Sequence, residues 1–81
     1  MAQVKIQIKN IFGEVLFEYG KENNTIRETV EEAVRQGANL GNANLGNANL
    51  RNANLGYADL GKADLGYADL GYADLGNADL G

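Results

Sequence analysis

The chain has 81 residues and a formal net charge of −4, with 11 glycines and no proline, cysteine or histidine. One small domain with a modest core fits that length, and the missing Cys and His remove disulfides, thiolate or imidazole catalysis and ordinary zinc sites. The negative charge argues against a binder of nucleic-acid backbone, which needs a basic patch, and no apolar run approaches the roughly 20 residues that span a bilayer.

Met1 to Asn10 alternates polar and apolar residues and lacks the continuous apolar stretch of a signal peptide, so a cytoplasmic protein is expected. Val4, Ile6 and Ile8 alternate with Lys5, Gln7 and Lys9, which predicts a half-buried strand. Asn10 to Gly13 supplies turn residues. Val15, Phe17 and Tyr19 then alternate with Leu16 and Glu18, which predicts a second strand and a hairpin over about 3–19. Gly20 to Asn24 reads as a polar break. Thr25, Ile26, Arg27 and Glu28 fit a capping box, in which hydroxyl and carboxylate satisfy early backbone N–H groups. A helix is expected over about 25–36, with Ile26, Val30, Ala33 and Val34 as its apolar stripe and Gly37 as its stop. Glu28, Glu31 and Glu32 make an acidic helix face, which is ordinarily solvated.

Composition changes abruptly near Gly37, dividing the chain into residues 1–36 and residues 37–81. The second part is a repeat of period five whose leucines fall at 40, 45, 50, 55, 60, 65, 70, 75 and 80, each with Ala two residues before it. Five residues advance an α-helix by about 500°, so successive Leu would step about 140° around it. On a flat strand they would alternate between faces. One ordered arrangement serves this period: the chain turns a corner in every repeat, each Leu points at a common axis, and successive coils stack Leu and Ala on their neighbours.

The uninterrupted A-[N/D]-L-x-x pattern over residues 38–81 resembles the pentapeptide-repeat family. The resemblance implies a mainly β fold, a right-handed quadrilateral β-helix of about two coils, with four repeats to a coil. It also implies stacked columns, with Leu40, Leu60 and Leu80 in one and Leu45 over Leu65, Leu50 over Leu70 and Leu55 over Leu75 in the others. Asn39, Asn44, Asn49 and Asn54 would then lie over Asp59, Asp64, Asp69 and Asp74, offering an amide donor to each carboxylate and avoiding like-charge pairs. Only Asp79, over Asp59, departs from that scheme. A hairpin and helix before the repeats also resemble the N-termini of some family members, and Ile26, Val30 and Val34 would cover the first coil as a cap.

No constellation in the sequence points to chemistry. Neighbouring Asp residues of one coil would diverge into solvent, whereas acid–base catalysis and calcium both need groups that converge. Each glycine is one letter of the repeat and none belongs to a phosphate-binding loop. Neither a catalytic residue, a metal, a cofactor nor direct binding to nucleic acid or membrane is expected. Tyr57, Tyr67 and Tyr72 fall on outer corners, where they either anchor an interface or lie flat on the neighbouring coil.

Two functional readings remain. The first is a structural, self-associating module, a homodimer stacked end to end through a C-terminal layer of Leu60, Leu65, Leu70, Leu75 and Leu80, with edge-to-edge pairing or swapping of the hairpin at residues 4–19 as the second route. The second comes from the family resemblance: an acidic, DNA-like inhibitor of a topoisomerase, for which two coils are short. Uniform Leu at every repeat centre and a stop at Gly81 inside a repeat point to an engineered or truncated chain.

Overall fold

A computed structural model of the chain describes residues 2–81. It places β1 (Gln3–Lys9) antiparallel to β2 (Val15–Glu22), followed by the helix α1 (Ile26–Arg35). Alternation holds only in the second half of β1: Ile8 is buried and Ile6 half-buried, opposite Phe17 and Tyr19, whereas Val4, opposite Lys21 near the open end of the hairpin, is exposed. The turn is organised by Asn10, whose side-chain oxygen accepts from the N–H groups of Phe12 and Glu14 at 2.9 and 3.0 Å.

Two features of the hairpin differ from expectation. Gly20, Lys21 and Glu22 are strand rather than a polar break, because β1 begins at Gln3 and its first three residues pair with them. The break shrinks to Asn23 and Asn24, with Asn23 at φ 58°. The ladder also slips between Ile8 and Lys9, which face Phe17 and Val15 and leave Leu16 as the extra residue of a bulge. Leu16 and Phe17 consequently both pack against the core instead of alternating.

Helix α1 starts at Thr25, whose hydroxyl accepts from the Glu28 N–H at 3.1 Å. The capping box is half-formed. The Glu28 carboxylate pairs with Lys21 at 3.2 Å rather than reaching back, and its second oxygen is buried without a partner. Two buried polar residues beneath it are satisfied: Asn24 donates to the Tyr19 carbonyl and to the Thr29 hydroxyl, which donates to the Thr25 carbonyl. At the other end Gly37 takes φ 74°, its N–H reaches the Val34 carbonyl and the Ala38 N–H reaches the Ala33 carbonyl. That is a Schellman closure, and glycine suits its left-handed residue because it has no Cβ to clash.

The repeats form two 20-residue layers, residues 38–57 and 58–77. Parallel bridges join Asn39 to Asp59, Asn44 to Asp64, Asn49 to Asp69 and Asn54 to Asp74, a constant offset of one layer. Three hydrogen bonds recur on the sides of Asp64, Asp69 and Asp74, and the first two of them on the side of Asp59. The Leu45 N–H donates to the Asp64 carbonyl, Asn47 to Gly66, and Asp64 back to Ala43, all at 2.8 Å. Within each repeat the Ala N–H donates to the preceding Leu carbonyl, as Ala43 does to Leu40 at 3.0 Å. Each repeat is therefore closed by a β-turn, and the residue before Ala sits at a φ between 59° and 67°.

The polar residue before each Leu has a different task from the one its column suggests. No Asn amide donates to an Asp carboxylate among the described residues. Instead each side-chain oxygen accepts the backbone N–H two residues on: Asn39 from Gly41 at 2.8 Å, Asp64 from Gly66 at 2.9 Å. Asn and Asp are interchangeable there because both offer the same acceptor.

Leu40, Leu45, Leu50, Leu55 and Leu60 are buried with Ala43, Ala53 and Ala58 in one cluster that includes Ile8, Val30 and Ala33. Ile26 and Val34 are half-buried against it, so the apolar stripe of α1 and the first-layer leucines share one cluster. The cap also extends the backbone bonding of that layer. Asn44 donates to the Lys9 carbonyl at 2.8 Å, Ile11 donates to Asn42 at 2.9 Å, and the Asn54 N–H is taken by the Glu31 carboxylate at 2.8 Å.

Candidate interaction surface

Two open grooves flank α1 where it crosses the first layer. One, of about 510 Å³, is lined by Glu31, Val34, Arg35, Asn54, Gly56 and Tyr57. Its carboxylates are already engaged. Glu31 holds Asn54, while the Gln36 amide and the Arg35 guanidinium hold the neighbouring Glu32 carboxyl below its ordinary range. Their mutual hydrogen bond raises Arg35 in turn. The other groove, of about 380 Å³, includes Arg27 and Arg51. Arg27 lies 4.0 Å from Glu31 and Arg51 lies 3.8 Å from Asp69. Among the described residues no three His, Cys, Asp or Glu side chains gather as metal ligands.

The acidic helix face is thus partly structural, since Glu31 caps the first layer. Sequence reasoning missed that role. The available signal was position, because Glu31 follows Arg27 by one helical turn on the flank of the buried Val30.

The corner tyrosines are solvent-facing. Tyr57, Tyr67 and Tyr72 are 80%, 94% and 83% exposed, so they do not lie flat on the neighbouring layer. Tyr72 has one partner, the Arg51 guanidinium 5.2 Å from its ring centre. Arg51 reaches down across Gly71, where a Cβ would come within 2.6 Å of its Nη1. In the single repeat without glycine at that position the Arg51 side chain lies over a glycine one layer below, and a Cβ there would displace only its mobile guanidinium.

The second layer differs from the first in what covers it. Leu65, Leu70 and Leu75 are half-buried and Leu80 is 55% exposed. Leu60, expected among them, belongs to the interior at 1% exposure. Residues 78–81 begin a further layer over it, with Leu60 donating to the Asp79 carbonyl and Asp79 to the Ala58 carbonyl. On the remaining sides the N–H groups of Leu65, Leu70 and Leu75 and the carbonyls of Ala63, Ala68 and Ala73 have no partner within the described residues. Each is the counterpart of a group that is bonded in the first layer.

The family model for pentapeptide repeats matches residues 36–66 and 43–81, in eight copies. The chain belongs to the pentapeptide-repeat family. Together the two matches span more than half of the chain and all of its repeat region. Neither the curated proteins nor the solved structures gave a match. In this pentapeptide-repeat chain the described residues include no helix long and apolar enough to cross a membrane.

Proposed function

We propose that this pentapeptide-repeat chain is a structural module without catalytic activity whose task is to present a stackable layer to a second copy of itself. In this reading residues 37–81 form a right-handed quadrilateral β-helix of about two coils. The hairpin and α1 close one end, and two molecules meet through the other as a cytoplasmic homodimer. Support for the coils comes from the fixed 20-residue offset of the parallel bridges. The regularity of the Leu positions suits a designed scaffold.

One observation carries the self-association: unpaired N–H and C=O groups lie beside the half-buried Leu65, Leu70 and Leu75. A layer with open backbone groups and apolar side chains is a template for further pairing. The opposite end is already engaged by Lys9, Ile11 and Glu31, which favours contact of this layer with the equivalent layer of a copy over pairing through the open edges of the hairpin. That contact is isologous and closes at two molecules.

Light scattering on the 81-residue chain at tens of micromolar is expected to give the mass of a dimer. Replacing Leu70 and Leu75 by Lys places charges in the contact and is expected to give a folded monomer. A monomer for the unmodified chain would overturn the reading.

A further inference from the structure

The open layer has a polarity that fixes how a second copy can dock. On each open side an Ala carbonyl is a free acceptor, and the Leu N–H two residues later and the corner N–H of Tyr67, Tyr72 or Asn77 are free donors; pairing the Ala carbonyl with the Leu N–H leaves an Asp between them. In an antiparallel pair, a donor one residue after a given position and an acceptor one residue before it define a non-hydrogen-bonded pair centred on that position. A two-fold axis makes the facing strands antiparallel. The residues brought directly opposite one another are therefore the aspartates.

The helical rise of the layer narrows the register further. Within the described residues the open run ends where residues 78–81 step down over Leu60, and two copies of this 81-residue chain would each present a ramp with one step. Two identical ramps related by a two-fold axis slope the same way and nest when the step of each abuts the step of the other. The axis then passes by the Gly71–Tyr72 corner, midway along the open run. Leu70 N–H faces a second copy's Ala73 carbonyl and Leu65 N–H faces its Ala78 carbonyl, with the reciprocal bonds made by symmetry. Leu packs on Ala throughout this contact. Asp69 comes opposite the second copy's Asp74, and Asp64 opposite its Asp79.

Resting on the self-association just described, we propose that the second-layer aspartates are an electrostatic brake on tail-to-tail assembly. They set its strength by opposing like charges across the two-fold axis. Directly opposed like charges on paired strands are destabilising, and paired side chains at non-hydrogen-bonded positions stand closest. Few nearby cations offset them. Arg51 lies 3.8 Å from Asp69, and Lys62 is the remaining basic residue of the repeats. The first layer supplies the internal control. Asn39, Asn44, Asn49 and Asn54 make the same turn-capping bond as the aspartates, so the turn does not require a charge.

The test is sedimentation of the full chain and of Asp64→Asn/Asp74→Asn, each at low and high NaCl. This pair removes one charge from every opposed couple while leaving the Arg51–Asp69 pair intact. Asn at both positions still accepts the Gly66 and Gly76 N–H groups, as Asn44 and Asn54 do one layer above. The variant is expected to dimerise about tenfold or more tightly than the parent in low salt. Raising NaCl from about 0.05 to about 0.5 M, which shortens the screening length to a few ångströms, should tighten the parent and leave the variant nearly unchanged. Dimerisation of both chains with equal affinity and no salt response overturns the brake and leaves the self-association standing. Absence of a dimer from both chains at every salt concentration overturns the self-association, and the brake with it.

Discussion

Leu50→Ala is expected to lower stability by about 3 kcal/mol, within the range of about 2–5 kcal/mol typical of buried Leu truncations. Leu50 is fully buried in the first layer, in the cluster shared with Val30 and Ala33 of the cap. Truncation leaves a void between an element held by helix packing and a layer held by backbone bonds, so neither side can collapse freely into it. In a domain of this size about 3 kcal/mol corresponds to a fall in Tm of roughly 12–24 °C. Leu80→Ala is the matched control. Its side chain is 55% exposed in the single chain, and its cost should stay within about 0.5 kcal/mol at concentrations too low for self-association. Thermal melts followed by circular dichroism check both, and equal losses at the two positions would mean that burial does not follow the layers.

Tyr57→Asn/Tyr67→Asn is expected to do the opposite and raise Tm by about 5–10 °C. Both tyrosines sit in the left-handed region, at φ 67° and 60°. A residue with a Cβ is disfavoured there by about 1–2 kcal/mol, and Asn visits the region routinely. Asn42, Asn47 and Asn52 already occupy the equivalent corner at φ 63–64°. The exposed rings lose little contact when removed, so a combined gain of about 1–2 kcal/mol remains. Tyr72→Asn should gain less, because it forfeits a cation–π contact with Arg51 worth about 0.5–1 kcal/mol. A fall in Tm for the double variant would show that the rings hold contacts across the corners.

The same corner shows where sequence pattern stops being informative. Period five in Leu and Ala reports the stacked layers directly, because burial selects those residues. Corner conformation is not written that way. Glycine marks the preceding position, while Asn, Tyr and Lys carry the left-handed angle. Crowding accounts for glycine at some of these positions only: a Cβ on Gly41 would come within 2.9 Å of the Asn39 side-chain oxygen, whereas one on Gly56 or Gly61 would meet ordinary contacts. The hairpin and helix were legible from alternation and capping residues. The Leu16 bulge was not, because it depends on how the hairpin end must bend to pair Asn10 with Ala43.

The open layer was partly legible. Leu65, Leu70 and Leu75 follow from counting repeats, and so does the cover on Leu60, since the column of Leu40, Leu60 and Leu80 already set residues 78–81 over it; grouping Leu60 with the open leucines overlooked that column. Glu31 and the free Leu N–H groups leave no mark on hydrophobic periodicity. They are matters of backbone bonding, which becomes visible only once the layers are placed on one another.

Residue-resolved amide exchange in dilute solution tests the layered arrangement most directly. Leu45, Leu50 and Leu55 donate their N–H groups to Asp64, Asp69 and Asp74, whereas Leu65, Leu70 and Leu75 occupy the same repeat position with no acceptor among the described residues. The first set should exchange orders of magnitude more slowly than the second, although the local sequences are nearly identical. Equal exchange rates in the two sets, whether both slow or both at the rate of an unfolded chain, would contradict two stacked layers with one open face.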